Sequence, residues 1–156
     1  MPDTVKRYLG KNSRLLISST WELTASTAIS KRDTLAVVLG ATREDVSAED
    51  SGGYQWEQDI LKTVGLTFSA FFSETGLGDT VYAMLDTARE AGTPLVFVVS
   101  DGNIETAGTK YRKMWLHIGQ VTDNRDTKGV GKIDVETFLG PCANAPTTVT
   151  VSGGGG

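Results

Sequence analysis

Several segments of this chain alternate apolar and polar residues while only one takes a helical period, and that single helix among strands limits the possible folds most. Within Gly65–Ser73, Leu66, Phe68, Ala70 and Phe72 share one side while Thr67, Ser69 and Ser73 share the other. Side chains alternate across a strand, so this segment predicts a strand with one buried face. Between Asp79 and Ala91 the apolar positions are instead Val81, Met84, Leu85 and Ala88, which gather on one side of a helix. Asp79 or Thr80 can cap its start by accepting a backbone N–H, and Gly92 and Pro94 end it.

The remaining segments read as strands or loops. Arg14–Ala25 is rich in β-branched and aromatic residues, and Thr34–Ala41 predicts a second strand. Thr42–Gly53 has no period of its own and is expected as a long loop, a kind of segment that is often functional. In Tyr54–Leu61, Tyr54, Trp56 and Ile60 share one face, with Gln55, Glu57 and Asp59 opposite. Leu95–Ser100 is apolar on both faces, as in a central strand covered by the helix. Arg112–Thr122 aligns Met114, Leu116 and Ile118, while Val130–Leu139 turns Ile133, Val135 and Leu139 inward and Lys132, Asp134 and Glu136 outward. Strands, one helix, then strands predict a mainly β fold, an antiparallel sandwich or barrel bearing one flanking helix. Residues 14–140 form the expected domain, with loop 42–53 and helix 79–91, between an N-terminal arm (1–13) and a C-terminal arm (141–156).

Composition narrows the function classes. With 39% hydrophobic and 22% charged residues among 156, the chain has the make-up of a folded domain. A net charge of −4 argues against tight, sequence-blind nucleic-acid binding, which needs a dense Lys/Arg surface. Cys142 is the single cysteine, so an intramolecular disulfide and a thiolate zinc cluster are excluded. The plain apolar runs Leu35–Leu39 and Leu95–Val99 are far short of a membrane span, and a soluble chain, cytosolic at synthesis, is expected.

Candidate chemistry is sparse. Asp50-Ser51-Gly52-Gly53 resembles the nucleophile segment of trypsin-like proteases, whose serine needs a histidine and a carboxylate. The one histidine, His117, follows the serine, against that order, so a glycine turn with positive φ is the better reading. Gly76-Leu77-Gly78 precedes a helix, but Val81 stands at the third glycine position of a dinucleotide fingerprint. Asp123-Asn124-Arg125-Asp126 lacks calcium-loop spacing. Trp21, Trp56 and Trp115 could form a sugar platform, though strand tryptophans more often serve cores and interfaces. No active site and no cofactor is expected, and the chain reads as non-enzymatic.

One order of features runs from Arg43 to Leu139. A polar loop ends in Asp50-Ser51-Gly52-Gly53, aromatic Tyr54 and Trp56 follow, and a spacer reaches Val64-Gly65-Leu66. Next come the alternating strand Thr67–Phe72, the helix Asp79–Ala91, Gly92-Thr93-Pro94-Leu95-Val96 and later Gly119-Gln120-Val121-Thr122. In this order they resemble the major tail tube proteins of long, non-contractile-tailed bacteriophages and related gene transfer agents. Two aromatics stand where one is usual, and Lys62-Thr63-Val64 is a loose form of the spacer.

The resemblance implies a tail tube-like β-sandwich forming hexameric rings that stack into a channel for genome delivery into the host cell. It implies a virion protein assembled in the host cytoplasm, with tape-measure, tail terminator and tail tip proteins as partners and DNA passing without specific binding. Arg43, Glu44, Asp45, Glu49, Asp50, Ser51, Gly52 and Gly53 become candidates for the inter-ring or subunit interface, and Glu57 and Asp59 for lumen-facing acids. The inner tube of a contractile tail or of a secretion system shares this fold and is an alternative. A carbohydrate-binding sandwich using the tryptophans, or a small hydrolase using Ser51 and His117, belongs to a different class.

Overall fold

The elements follow one another as β1 (Arg14–Ser18), β2 (Thr27–Ala28), β3 (Arg32–Asp45), β4 (Glu57–Phe71), α1 (Thr80–Ala91), β5 (Leu95–Ser100), β6 (Lys110–Asn124), β7 (Lys132–Phe138) and β8 (Thr147–Thr150). This computed structural model describes residues 13–23, 26–29, 32–45, 47, 52–55, 57–71, 76–125 and 131–152. The helix forms where expected because its stops are local. The Asp79 carboxylate accepts from the N–H groups of Val81 (2.9 Å) and Tyr82 (3.2 Å), which have no partner inside the first turn. Gly92 ends the helix in the left-handed region at φ 68°, where a Cβ would be strained.

Strand pairing is antiparallel throughout, in the order β2-β1-β5-β6-β7-β4-β3, with β8 also on β6. β6 is the spine. Tyr111–Leu116 pairs with β5 and His117–Asn124 with β7, with a register shift at Gly119 where one strand run gives way to the other. An added Cβ at Gly119 would lie 3.2 Å from the Phe138 ring, so glycine suits the close approach there.

Alternation then builds two apolar layers. Leu15 and Ile17, Leu95 and Phe97, and Met114 and Leu116 face one side, where Leu66, Phe68, Ala70, Ile133 and Val135 meet them from β4 and β7. Leu85 and Ala88 of the helix close this core. Phe68 and Phe97 meet across it with ring centroids 6.1 Å apart. On the opposite side Leu16, Val96 and Val98 lie beneath Trp21, Leu23, Ile104, Tyr111 and Trp115. β5 is therefore covered on both faces as expected, but the helix covers only one of them.

Several boundaries differ from the sequence expectations, each for a physical reason. β1 stops at Ser18, because local hydroxyl bonds compete with the ladder: the Ser18 hydroxyl oxygen accepts from the Thr20 N–H (3.2 Å), and the Thr20 hydroxyl donates to the Glu22 carbonyl (3.0 Å). A loop is expected from Thr42, yet β3 continues through Thr42–Asp45 against Leu61–Glu57. Tyr54–Leu61 and Gly65–Ser73, expected as separate strands, form one strand from Glu57 to Phe71. Lys62-Thr63-Val64 contains no breaker, and Leu39–Ala41 pairs with it directly. Thr147–Thr150, expected within an arm, adds to β6 at Lys110–Lys113. Its Thr-Thr-Val-Thr run favours extended backbone. Residues 1–12, Trp56 and Phe72 lie outside the described residues.

Thr137 supplies one long-range fastening. The β4–β7 ladder ends at Thr67 and Glu136, and the buried Thr137 hydroxyl then accepts from the Leu66 N–H (3.0 Å) and donates to the Leu66 carbonyl (2.9 Å). Thr137→Val keeps the shape and strands both groups, so unfolding free energy should fall by about 1–3 kcal/mol. Thr137→Ser should stay near wild type, and denaturant titration of the three proteins measures the difference.

Candidate assembly surfaces

β7 pairs with β4 only over Thr67–Phe71, so beyond Leu66 and Val37 strands β3 and β4 continue as a two-stranded ribbon. Apolar side chains stay exposed there: Val38 at 58%, Leu39 at 58% and Leu61 at 64%. Leu39 lies opposite Val64, whose side chain packs on the core, and Leu61 opposite Thr42, so the two leucines occupy different faces of the ribbon. Scattered exposed leucines are ordinary, and here apolar residues stand exposed on both faces of the ribbon.

The candidate interface residues begin at the far end of this ribbon. Arg43, Glu44 and Asp45 are exposed strand residues rather than loop residues. The Asp45 carboxylate accepts from the Ser47 N–H at 2.8 Å, and hydrogen bonding from Ser47 holds its carboxyl below the usual range. Gly52 and Gly53 take φ of 65° and 83°, the left-handed turn that their sequence predicts. Glu49, Asp50 and Ser51 lie outside the described residues.

A register shift between Thr42 and Arg43 puts an extra residue into β4, with Thr42 opposite Leu61 but Arg43 opposite Asp59. One extra residue reverses the alternation on the bulged strand. Arg43 continues the β3 face that carries Leu35 and Val37 toward the core, and Glu57 joins it through an ion pair at 3.6 Å. Both partners are half-exposed, so this pair adds little stability, but it offsets the Glu57 charge. The side chain of Asp59 lies outside the described residues.

Acids also stand on the opposite face of the sheet. The run β6-β7-β4-β3 presents two polar rows, Gln120–Glu136–Thr67–Ala36 and Thr122–Asp134–Ser69–Thr34. The Ser69 hydroxyl donates to the Asp134 carboxylate, and the Asn124 amide donates to its other oxygen at 2.6 Å. Lys132 turns instead to Asp33, 3.7 Å away. Asp134 and Glu136 were legible as outward-facing from the period of their strand; their place in a four-stranded face was not.

That four-stranded run has two open edges. Among the described residues, β3 pairs only with β4 along its 14 residues, and Ile118–Asn124 of β6 pairs only with β7. Unpaired N–H and C=O groups along such edges template further pairing. Three antiparallel steps separate β6 from β3, so the two strands run in opposite directions and can meet antiparallel between copies.

The other candidate residues are engaged locally. His117 stacks on Phe138, centroids 5.5 Å apart, and its Nε2–H donates to the Pro141 carbonyl at 2.8 Å. Trp21 and Trp115 stack on each other at 6.0 Å and 15°, with Lys113 Nζ 4.2 Å from the Trp21 ring centre, so their faces are largely taken up by protein. Arg125 Nε bonds both oxygens of Asp123 (3.0 and 3.2 Å). No helix among the described residues is long and apolar enough to cross a membrane.

This antiparallel two-layered β domain with one helix, a projecting ribbon and open sheet edges shares its fold with solved tail tube structures. Solved tail tube structures match it over nearly the whole chain. The SPP1 tail tube aligns with a TM-score of 0.71 at 11% identity, covering 94% of this chain and 81% of that one. The tail of an empty gene transfer agent particle, refined with C6 helical symmetry, aligns at 0.69 and 14% identity, covering 91% and 98%. A chain of the anti-feeding prophage baseplate, six-fold symmetrised, aligns at 0.60 and 9% identity, covering 95% and 99%. No protein-family model and no curated protein sequence matches the chain.

Proposed function

We propose that this chain is the major subunit of a tail tube, a structural virion protein with no enzymatic role. Copies close into rings by pairing the open edge of β3 with the Ile118–Asn124 edge of β6 on the next copy. The observation that carries this reading is the pair of open edges, opposite in direction, at the two ends of one four-stranded sheet. Such a contact is heterologous, and it closes a ring when the rotation per copy is a whole fraction of a turn. The six-fold symmetry of two structural neighbours supports a hexamer.

Rings stack through the ribbon and its loop, with Arg43, Glu44, Asp45, Glu49, Asp50, Ser51, Gly52 and Gly53 at the contact. The polar face lines the bore, where Asp134 and Glu136 supply negative charge. Glu57 and Asp59, at the far end of the ribbon and on its other face, would supply the charge only if the channel ran along that face. DNA passes without specific binding, and tape-measure, terminator and tip proteins set length and ends after assembly in the host cytoplasm. The likeness to the anti-feeding prophage chain favours a second reading, the inner tube of a contractile system.

Electron microscopy of concentrated protein, alone and with tail assembly partners, tests the proposal: rings or tubes are expected, and a sheath requirement would favour the second reading. Shortening residues 46–53 to a tight turn should leave circular dichroism unchanged, because surface loops carry little of the core. Rings should persist while stacking is lost. Normal tubes from the shortened protein would remove the loop from the contact.

A further inference from the structure

The inward face of β6 changes character along its length. Leu116 and Met114 belong to the buried core, and the next two inward positions, Arg112 and Lys110, are basic. Arg112 stands opposite Val99, whose side chain packs on the core, so both cations lie on that side of the sheet. With Val37, Val99, Asp101 and Thr148 they line a cleft of about 230 Å³. Long basic side chains often cover the end of an apolar layer and leave their charge in water. Arg112 is instead half-buried beside an open cleft, and among the described residues neither cation makes an ion pair. Asp101, exposed at the rim, is the one carboxylate among the lining residues, and its N–H donates to the Lys110 carbonyl at 3.0 Å.

The complementary charge stands at the tip of the ribbon. Residues 44–50 hold four carboxylates, Glu44, Asp45, Glu49 and Asp50, and no cation, the densest acidic stretch in the chain. Arg43, just before them, is already paired with Glu57. A copy's tip cannot reach its own cleft. Val37 lines the cleft, and from there β3 runs on to Glu44 paired with β4 all the way. At about 3.3 Å per residue that length of strand carries the tip roughly 23 Å off. Another molecule must therefore bring the acids and the cleft together.

We propose that this cleft receives the acidic ribbon tip of a second copy, with Arg112 and Lys110 pairing to its carboxylates. The assignment rests on rings stacking through the tip, and it supplies the surface that the tip meets. Charge-assisted bonds are the strong ones, and a guanidinium can hold a carboxylate through two parallel N–H···O bonds. Val37 and Val99 behind the cations keep water from one side of the pair, so it is worth more than an ion pair on an open surface. Asp101 repels an incoming carboxylate and weakens the contact, so neutralising it should tighten binding.

Titrating the unassembled protein with a synthetic peptide of residues 43–53, followed by nuclear magnetic resonance, tests the cleft whether or not tubes form. Backbone amide shifts confined to Val37, Val99, Lys110, Arg112 and Thr148 are expected. A peptide with its four acids replaced by Gln and Asn should give none. Arg112→Gln should weaken binding at least about tenfold, the usual contribution of a hydrogen bond to a charged group, and Asp101→Asn should strengthen it. No shifts at millimolar peptide, or binding indifferent to Arg112→Gln, would overturn the cleft. Equal shifts from succinate at the same carboxylate concentration would overturn its occupant. In the assembled protein, Lys110→Glu with Arg112→Glu should keep rings and stop stacking, with circular dichroism as the check on folding. Adding Glu49→Lys and Asp50→Lys to that chain should restore tubes. The same tip reversal combined with Arg14→Glu and Arg89→Glu matches the net charge and should not. Tubes that stack normally despite the reversed cleft would overturn the docking. Peptide binding by a protein that never forms rings would overturn only the tube, and tubes with a silent cleft only this assignment.

Discussion

Replacing Leu39 and Leu61 together by lysine is expected to abolish assembly and leave the subunit folded. The two side chains are 58% and 64% exposed and lie on different faces of the β3–β4 ribbon, so a neighbour covering either face meets one of them. Neither belongs to the buried core, and exposed substitutions of this kind usually change stability by about 0.5 kcal/mol or less. At a contact the result is different. An ammonium buried without a partner costs several kcal/mol, and each 1.4 kcal/mol is a factor of ten in affinity. Because every copy repeats the defect, the concentration needed for assembly should rise at least about 100-fold. Sedimentation and negative-stain imaging read this directly, with circular dichroism as the check on folding. Tubes forming at the wild-type concentration would take the ribbon out of every contact.

The second large effect concerns the polar face. Asp134→Asn with Glu136→Lys removes both acids, while the asparagine oxygen can still accept from the Asn124 amide and its NH2 can donate to the Ser69 hydroxyl oxygen. If this face lines the bore, DNA with one charge per roughly 1.7 Å of axis meets a neutral or positive wall and adheres. Genome release should slow at least about tenfold at low salt and recover as salt rises, because screening shortens from roughly 30 Å at 0.01 M to 3 Å at 1 M. The same reversal at Glu57 and Asp59 should have the smaller effect, since Arg43 already offsets Glu57. Release kinetics from particles carrying each pair settle the matter. A larger effect at Glu57 and Asp59 would place the channel on the ribbon's other face.

How far the sequence could be read depended on how local each determinant was. The helix was legible to its caps because Asp79 and Gly92 act within one turn. The two-sided burial of β5 was legible because Leu95–Val99 is apolar throughout. The ribbon was not, because continuity through Lys62–Val64 comes from pairing with Leu39–Ala41, more than 20 residues away. The reversal at Glu57 was equally hidden: the extra residue near Ile60 carries no glycine or proline to announce it. The Thr137 bond to Leu66 spans 71 residues and has no local signature. Of the candidate site, the turn at Gly52 and Gly53 could be read directly. The four-stranded face bearing Asp134 and Glu136, and the open edges beside it, appear only once strand order is known.

The central claim is that this fold exists to be closed by copies of itself, edge to edge. Cryo-electron microscopy of the assembled protein tests it most directly. The account predicts a ring in which β3 of each copy pairs antiparallel with Ile118–Asn124 of the next, with Asp134 and Glu136 facing the bore. A protein that stays monomeric at high concentration and with its assembly partners present, or a ring in which β3 keeps a free edge, would contradict it.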